Sequence, residues 1–463
     1  MQNKTCIPWI LGLGLLMETI DSSILNTALP QMAFSFDVNV LTLKLVIISY
    51  IITLAVFLPI GGYLSDRWGA KYVFFTAVTI FVASSLWCGM ASHLPELIIG
   101  RLLQGVGGAM ITPIARLILL KAFSRSEYIK AFTSLVLVGQ LGITLGPPLG
   151  GLLTTFLGWR WIFFINLPIG LLLLCLIVFF IPNYREEVKY RLDKIGFVLF
   201  SSSLGAITFG LAWMTEQAFE NDIFAVGLTI LGIVLSGIYA WHTKYCFQPL
   251  LNFSLLRLRT FRISLIGGFI SRIPLNAPFF LITLFLQTEF RFSAFKAGIF
   301  LIPYGLSMVL MKTFFRHVLS YIGYRYSLVF NPILLAFILF LFSEIATTTP
   351  TWIIFLLIIS LGAFSSFQFS SMSALAFTDI NSNETSHAST IASIFQQLAT
   401  SAAICVSAGL LIVISNYYHV APLNLKAFHV SFLILSIMML SSILIFRQLR
   451  VEDGAEMLNL YKK

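Results

Sequence analysis

The feature that most limits what this chain can become is a recurrence of apolar runs about twenty residues long, separated by short loops. As a helix, such a run crosses a hydrocarbon core of ~30 Å while satisfying its own backbone hydrogen bonds. Ten-residue alternation, the mark of a membrane β-barrel, is not the pattern. Fourteen runs can be drawn, over 8–28, 44–63, 73–91, 96–119, 131–154, 161–182, 196–214, 223–241, 263–287, 297–315, 327–345, 352–377, 389–414 and 427–446. The expected fold is an all-α membrane protein of 14 transmembrane helices. At 58% hydrophobic and 10% charged, the 463 residues exclude an ordinary soluble domain, and 44 Phe suit lipid-facing helices.

A net charge of +10 on a soluble protein would point to nucleic acid, but here the basic residues mark topology, and no nucleic-acid partner is expected. Most lie in the termini and the loops after even-numbered runs (Arg67, Lys71, Arg125, Lys130, Arg185, Lys189, Arg257, Arg259, Arg325, Arg450). The opposite loops hold Lys44, Arg160, Arg291, Lys296 and Lys426. Both termini are therefore expected in the cytoplasm, with the chain multi-pass in an inner or plasma membrane. Lys4 and the apolar stretch after it resemble a signal peptide, but Glu18 and Asp21 interrupt that stretch, so it reads as a retained first helix. The five cysteines lack paired spacing and the six histidines lack ligand spacing, so neither a disulfide framework nor a metal site is expected. No P-loop is present and no cofactor is implied.

The strongest internal charge run, 183–195, separates a front six-helix bundle (1–182) from an extra helix pair (196–241) joined by an acidic loop with Glu216, Glu220 and Asp222. A basic loop (242–262), a rear six-helix bundle (263–447) and a tail (448–463) complete a 6 + 2 + 6 plan, and transporters are commonly built from such repeated halves. WGAKYVFF (68–75), after the second run, is echoed by IGYRYSLV (322–329) after the tenth.

Charges inside the apolar runs carry the functional signal, because a carboxylate at membrane depth costs a few kcal/mol and usually faces a bundle interior or wet cavity. Glu18 and Asp21 fall in METIDSSILNTALP (17–30). Arg101 opens RLLQGVGGA in the fourth run, roughly 8 Å inside its end, and Asp21 lies roughly 10 Å in from the same side. A proton and Arg101 can then compete for Asp21; the alternative is an arginine that snorkels to the interface. GYLSDRWGAKY (62–72) offers Gly62 and Gly69 for a tight turn, Asp66 near the next helix start, and Arg67 and Lys71 as cytoplasmic anchors; a purely topogenic loop would look the same. GQLGITLGPPLGG (139–151) repeats Gly142, Gly146 and Gly150 on one helix face beside Pro147, Pro148 and Gly151, which suits close packing or a bent hinge. WRWIFFINLPIG (159–170) suits an interfacial aromatic belt.

Together these five motifs resemble the major facilitator superfamily, specifically its fourteen-helix drug:proton antiporter branch, in order and at family spacing over the first six helices. DSSILNTALP is similar to that branch's first-helix signature, GYLSDRWGAK to the superfamily's loop motif, and GPPLGG to the antiporter motif. The resemblance implies two pseudo-symmetric six-helix bundles, alternating access, and export of small amphipathic molecules driven by inward proton flow. It implies Asp21 and Arg101 in proton coupling and Asp66 with Arg67 in a cytoplasmic gate; Glu18, outside the family signature, is expected beside Asp21 in the coupling group, and Gly62, Gly69 and Lys71 beside the gate pair. Ala70 replaces the usual basic residue, and the rear copy has Ser320 where the acid belongs.

Glu18, one turn before Asp21, and Arg272, nine residues into the ninth run, both fall near mid-membrane, where they would pair or meet charged substrate groups. With Asn26, Gln104, Ser366, Phe367, Ser370 and Ser373 they are the expected substrate-cavity residues; serine-mediated helix packing is the other reading of the last group. An exporter of an endogenous anion, such as a siderophore or carboxylate chelate, is the rival function, and a receptor or enzyme on a transporter fold the remoter one. The motifs supply no nucleophile with a base and an orienting group. A monomer suffices for the expected function.

Overall fold

The computed structural model describes residues 4–185, 192–216, 223–246, 249–251, 253–380 and 384–454. Lys189, Glu220, Asp222 and the middle of the 183–195 charge run lie outside them. Fourteen helices are long and apolar enough to cross a membrane: α1 Lys4–Phe36, α2 Val40–Trp68, α3 Ala70–Met90, α4 Leu94–Ala122, α5 Lys130–Phe156, α6 Trp161–Phe180, α7 Lys194–Met214, α8 Ile223–Tyr245, α9 Arg259–Thr288, α10 Ala294–Ile322, α11 Tyr324–Ser343, α12 Thr351–Ala376, α13 His387–Tyr418 and α14 Leu425–Phe446. Among the described residues no strand occurs. One compact unit holds α1–α8 with residues 293–299, and a second holds α9, the rest of α10 and α11–α14. The extra pair α7–α8 thus clusters with the front six helices.

Within the first unit, glycine spacing sets the closest approaches. Methyl groups on Gly142, Gly146 and Gly150 of α5 would strike Thr19, Ser23 and Thr27 of α1, so only hydrogen fits there. That proximity lets Thr19 Oγ1 donate to Gly139 O (2.7 Å) and Ser23 Oγ to Gly142 O (3.1 Å). Pro147 and Pro148 are accommodated within the α5 helix, and Gly151 leaves room for Phe295, whose Cα lies 2.7 Å from an added methyl. In α4, Gly105 and Gly108 face Tyr50 of α2 while Gly107 faces Ala77 and Phe81 of α3, which seats α4 between them.

The two WGAKY-like segments have matching backbones. Gly69 (φ 95°, ψ 140°) and Gly323 (φ 76°, ψ 164°) each stop one helix and open the next, each donating N–H to the carbonyl four residues back, Ser65 and Leu319, at 2.8 Å. Positive φ at this joint favours glycine. Gly62, expected to share the turn, lies inside the helix Gly61–Trp68 with nothing within 4 Å of an added methyl, so Gly69 alone makes the turn.

Candidate functional site: a buried charge network in the front bundle

Five helices of the first unit converge on Asp21. It lies midway along the helix Ile7–Phe36 and is 1% exposed, as is Arg101 of α4. Sequence reasoning ended this helix before Pro30; the chain instead continues helically through the proline to Phe36, where Asp37 caps it at φ 52°. A membrane helix tolerates proline where neighbouring groups compensate for the lost donor. Asp21 is therefore further from the helix end than expected, and Glu18 sits one turn from the helix middle.

Arg101 Nη1 donates to Asp21 Oδ2 (2.6 Å) and to Gln104 Oε1 (2.6 Å), and Nε donates to Val46 O of α2 (3.3 Å). The guanidinium covers the Tyr50 ring at 4.4 Å. Asp21 Oδ1 accepts from Gln104 Nε2 (2.8 Å) and from Asn166 Nδ2 of α6 (2.9 Å). Ser85 of α3 closes the network, accepting from Gln104 (2.8 Å) and Asn166 (3.2 Å) and donating to Phe81 O (2.8 Å). Such saturation offsets the cost of removing two charges from water. It also rules out the snorkelling alternative for Arg101 in this structure. Gln104, expected in a substrate cavity, is fully buried in the network instead.

The WRWIFFINLPIG segment divides in the same way. Trp161 is 46% exposed, as a belt residue should be. Trp159 is buried, its Nε1 donating to Ser35 Oγ (3.0 Å) and its ring against Phe36 (5.2 Å). Asn166 was missed because one amide in an apolar helix has no pattern; its Oδ1 is buried without a hydrogen-bond partner among the described residues.

Replacing Arg101 with Ala would strand Asp21 and is expected to cost about 3–5 kcal/mol, whereas Arg101→Lys keeps the charge but loses the Val46 bond and the Tyr50 face, costing about 1–2 kcal/mol. Thermal unfolding of the detergent-solubilised protein checks the order: equal losses would refute the role of the planar fork.

Glu18 is half-buried and accepts from Thr112 Oγ1 of α4 (2.8 Å), with Arg116 one further turn along α4 within electrostatic reach. Sequence reasoning passed over both α4 residues, counting Arg116 with the loop charges. Asn26 is 7% exposed and has no hydrogen bond among the described residues.

At the loop motif, Asp66 does not begin the next helix; it lies near the end of α2, 3.9 Å from Lys121 Nζ of α4. Arg67 donates to Tyr63 OH (3.1 Å) and Lys71 to Val178 O (2.7 Å). Ala70 N–H donates to Tyr184 O (2.8 Å), and a methyl on Gly69 would collide with Asn183, so this joint is docked on the segment following α6.

In the second unit, Arg272 of α9 is 5% exposed. Among the described residues its Nε has no hydrogen-bond partner and its guanidinium no ion pair. Along α12 the expected lining divides. Ser366 is buried and donates to Met308 O of α10 (2.8 Å), and Phe367 is buried edge-on against Phe315 (5.7 Å), so both make packing contacts here. Ser370 is half-buried and Ser373 exposed.

The sequence pattern defining the Major Facilitator Superfamily matches residues 11–404. A multidrug resistance protein MdtD of Enterobacter sp. is 36% identical over 422 residues, covering 91% of this chain and 89% of that one. Its namesake in an Escherichia coli strain is 36% identical over 413 residues, with 89% and 87% covered. Solved structures agree in fold: the nucleoside transporter NupG (TM-score 0.67, 15% identity, 95% of this chain and 98% of that chain) and a D-xylose-proton symporter (TM-score 0.67, 15% identity, 97% and 99%). With its fourteen helices, its loop-motif joint and its match from the first helix into the thirteenth, the chain belongs to the major facilitator superfamily.

Proposed function

We propose that this protein is a proton-coupled multidrug exporter, working by alternating access as a monomer in an inner membrane with both termini in the cytoplasm. The observation that carries the reading is the Asp21–Arg101–Gln104–Asn166 network, a carboxylate fully hydrogen-bonded at the centre of a membrane helix. The names of the MdtD relatives support multidrug efflux, and the repeated helix joints support two bundles that rock. In this reading Asp21 is the proton carrier. On protonation it turns from acceptor to donor, and the buried Oδ1 of Asn166 is an acceptor on a residue already touching it. Asp66, Arg67, Gly69 and Lys71 act as the cytoplasmic gate, with Lys121 as the charge partner of Asp66. Inverted membrane vesicles with an imposed pH gradient test this: lipophilic cationic dyes should accumulate only with the gradient, and uptake independent of it would overturn the proposal.

A second reading, export of an anionic metabolite, is favoured by Arg272, a buried cation whose Nε has no hydrogen-bond partner among the described residues. Cation-facing groups point the other way, Glu18 being the acid one turn from Asp21. In the same vesicles Arg272→Ala should lower transport of carboxylate chelates at least tenfold and leave cationic dyes unchanged if the second reading holds; no loss for any anion would remove it.

A further inference from the structure

The extra helix pair carries a cluster that the transport reading does not use. Asp193 precedes the first residue of α7, where its Oδ1 accepts from Gly196 N (2.8 Å) and its backbone carbonyl from Phe197 N (2.9 Å). His242 lies in the last turn of α8 and Cys246 directly after its end, where Cys246 N still donates to His242 O (3.1 Å), so the two side chains four residues apart share one side. His242 Nε2 lies 3.0 Å and 3.1 Å from the two carboxylate oxygens of Asp193, and one ligand atom from each of the three residues falls within 4.8 Å of the others. All three are half-buried, and all belong to the first compact unit.

We infer that Asp193, His242 and Cys246 form a zinc site that ties the start of α7 to the end of α8. One thiolate, one imidazole and one carboxylate, with a fourth position open to water, is a donor set suited to Zn²⁺. Tetrahedral bonds of about 2.0–2.3 Å place ligand atoms roughly 3.3–3.8 Å apart. The His242–Asp193 separation therefore has to open by a few tenths of an ångström, and Cys246 has to close by up to about 1.3 Å, which χ1 rotation of Cys246 with χ1 and χ2 rotation of His242 permits. Binding requires loss of the Cys246 thiol proton to water and the His242 tautomer with its hydrogen on Nδ1, leaving Nε2 free to ligate. The carboxylate oxygen that caps α7 stays engaged with Gly196, which orients the ligand through the second shell. The alternative is a metal-free clasp in which Asp193 only caps α7 and pairs with His242; it gives Cys246 no part.

The test uses the full-length protein, purified in detergent under reducing conditions and stripped with chelator. Zinc titration should show one site per chain, and Co²⁺ in its place should give a thiolate-to-metal charge-transfer absorption with tetrahedral visible bands. Cys246→Ser should abolish the charge-transfer absorption, and His242→Ala should weaken zinc at least tenfold. Asp193→Asn, which keeps a capping side chain, should weaken zinc at least tenfold without loss of secondary structure. Added zinc should raise the melting temperature of the wild type and not of Cys246→Ser. Absence of a stoichiometric site, or a cobalt spectrum unchanged in Cys246→Ser, overturns the assignment.

Discussion

Asp21→Asn is expected to cut gradient-driven dye uptake in inverted vesicles at least tenfold, to the level of vesicles lacking the protein, while substrate exchange without a gradient continues. Asparagine is nearly isosteric and can still accept from Gln104 or Asn166, so the shape of the network survives. What disappears is the group that can gain and lose a proton beside Arg101. The substitution also leaves a buried guanidinium without its counter-charge, at a cost of about 3–5 kcal/mol if nothing relaxes. Exchange activity therefore serves as the control for folding, since a collapsed bundle would lose both. Gradient-driven uptake retained at the wild-type level would place the proton elsewhere, with Glu18, Thr112 and Arg116 the next group to examine.

The difference between what could and could not be read from the sequence follows from the cost of each residue in its surroundings. Asp21 and Arg101 were legible because an uncompensated charge in a twenty-residue apolar run is so unfavourable that a partner has to exist. Ser85 and Asn166 were not, because a hydroxyl or an amide in such a run is cheap enough to occur for packing alone. Depth arithmetic placed Asp21 and Arg101 together, but from a helix end that proved wrong at Pro30: α1 runs eight residues past the expected end at 28, whereas α4 begins only two before the expected start at 96. Arg116 was lost among loop charges because it stands three residues before the expected end of the fourth run at 119, where a basic side chain can equally reach the interface; α4 in fact runs on to Ala122. The His242–Cys246 spacing was hidden for a similar reason. A loop drawn from 242 took His242 off the helix, although α8 carries on to Tyr245 with Cys246 directly after it, and Asp193 stands 49 positions from His242. The α12 serines show the converse limit: helical periodicity put Ser366 and Ser373 in one stripe, but which part of a stripe is packed depends on where α10 crosses it.

A large structural effect is also expected from Gly146→Val. Gly146 sits directly over Ser23, between Gly142 over Thr19 and Gly150 over Thr27, so two added methyls enter space already filled by α1. Overpacking of this kind costs about 1–3 kcal/mol, and parting the helices also stretches the Thr19 and Ser23 bonds to α5 carbonyls, each worth about 0.6 kcal/mol in a membrane bundle. Gly62→Val is the matched control: it is another motif glycine inside a helix, but nothing lies within 4 Å of the added methyl, and leaving glycine removes an entropic penalty of up to about 1 kcal/mol. Melting in detergent should therefore fall by several degrees for Gly146→Val and stay within a degree or two for Gly62→Val. Similar losses at both would mean that the glycine repeat sets helix flexibility rather than contact distance. Because α1 carries Asp21, a shift of this helix away from α5 also moves the carboxylate relative to Arg101 and Asn166. Gly146→Val should then lose gradient-driven transport at temperatures where it is still folded, which ties the packing motif on α5 to the proton site that it does not touch.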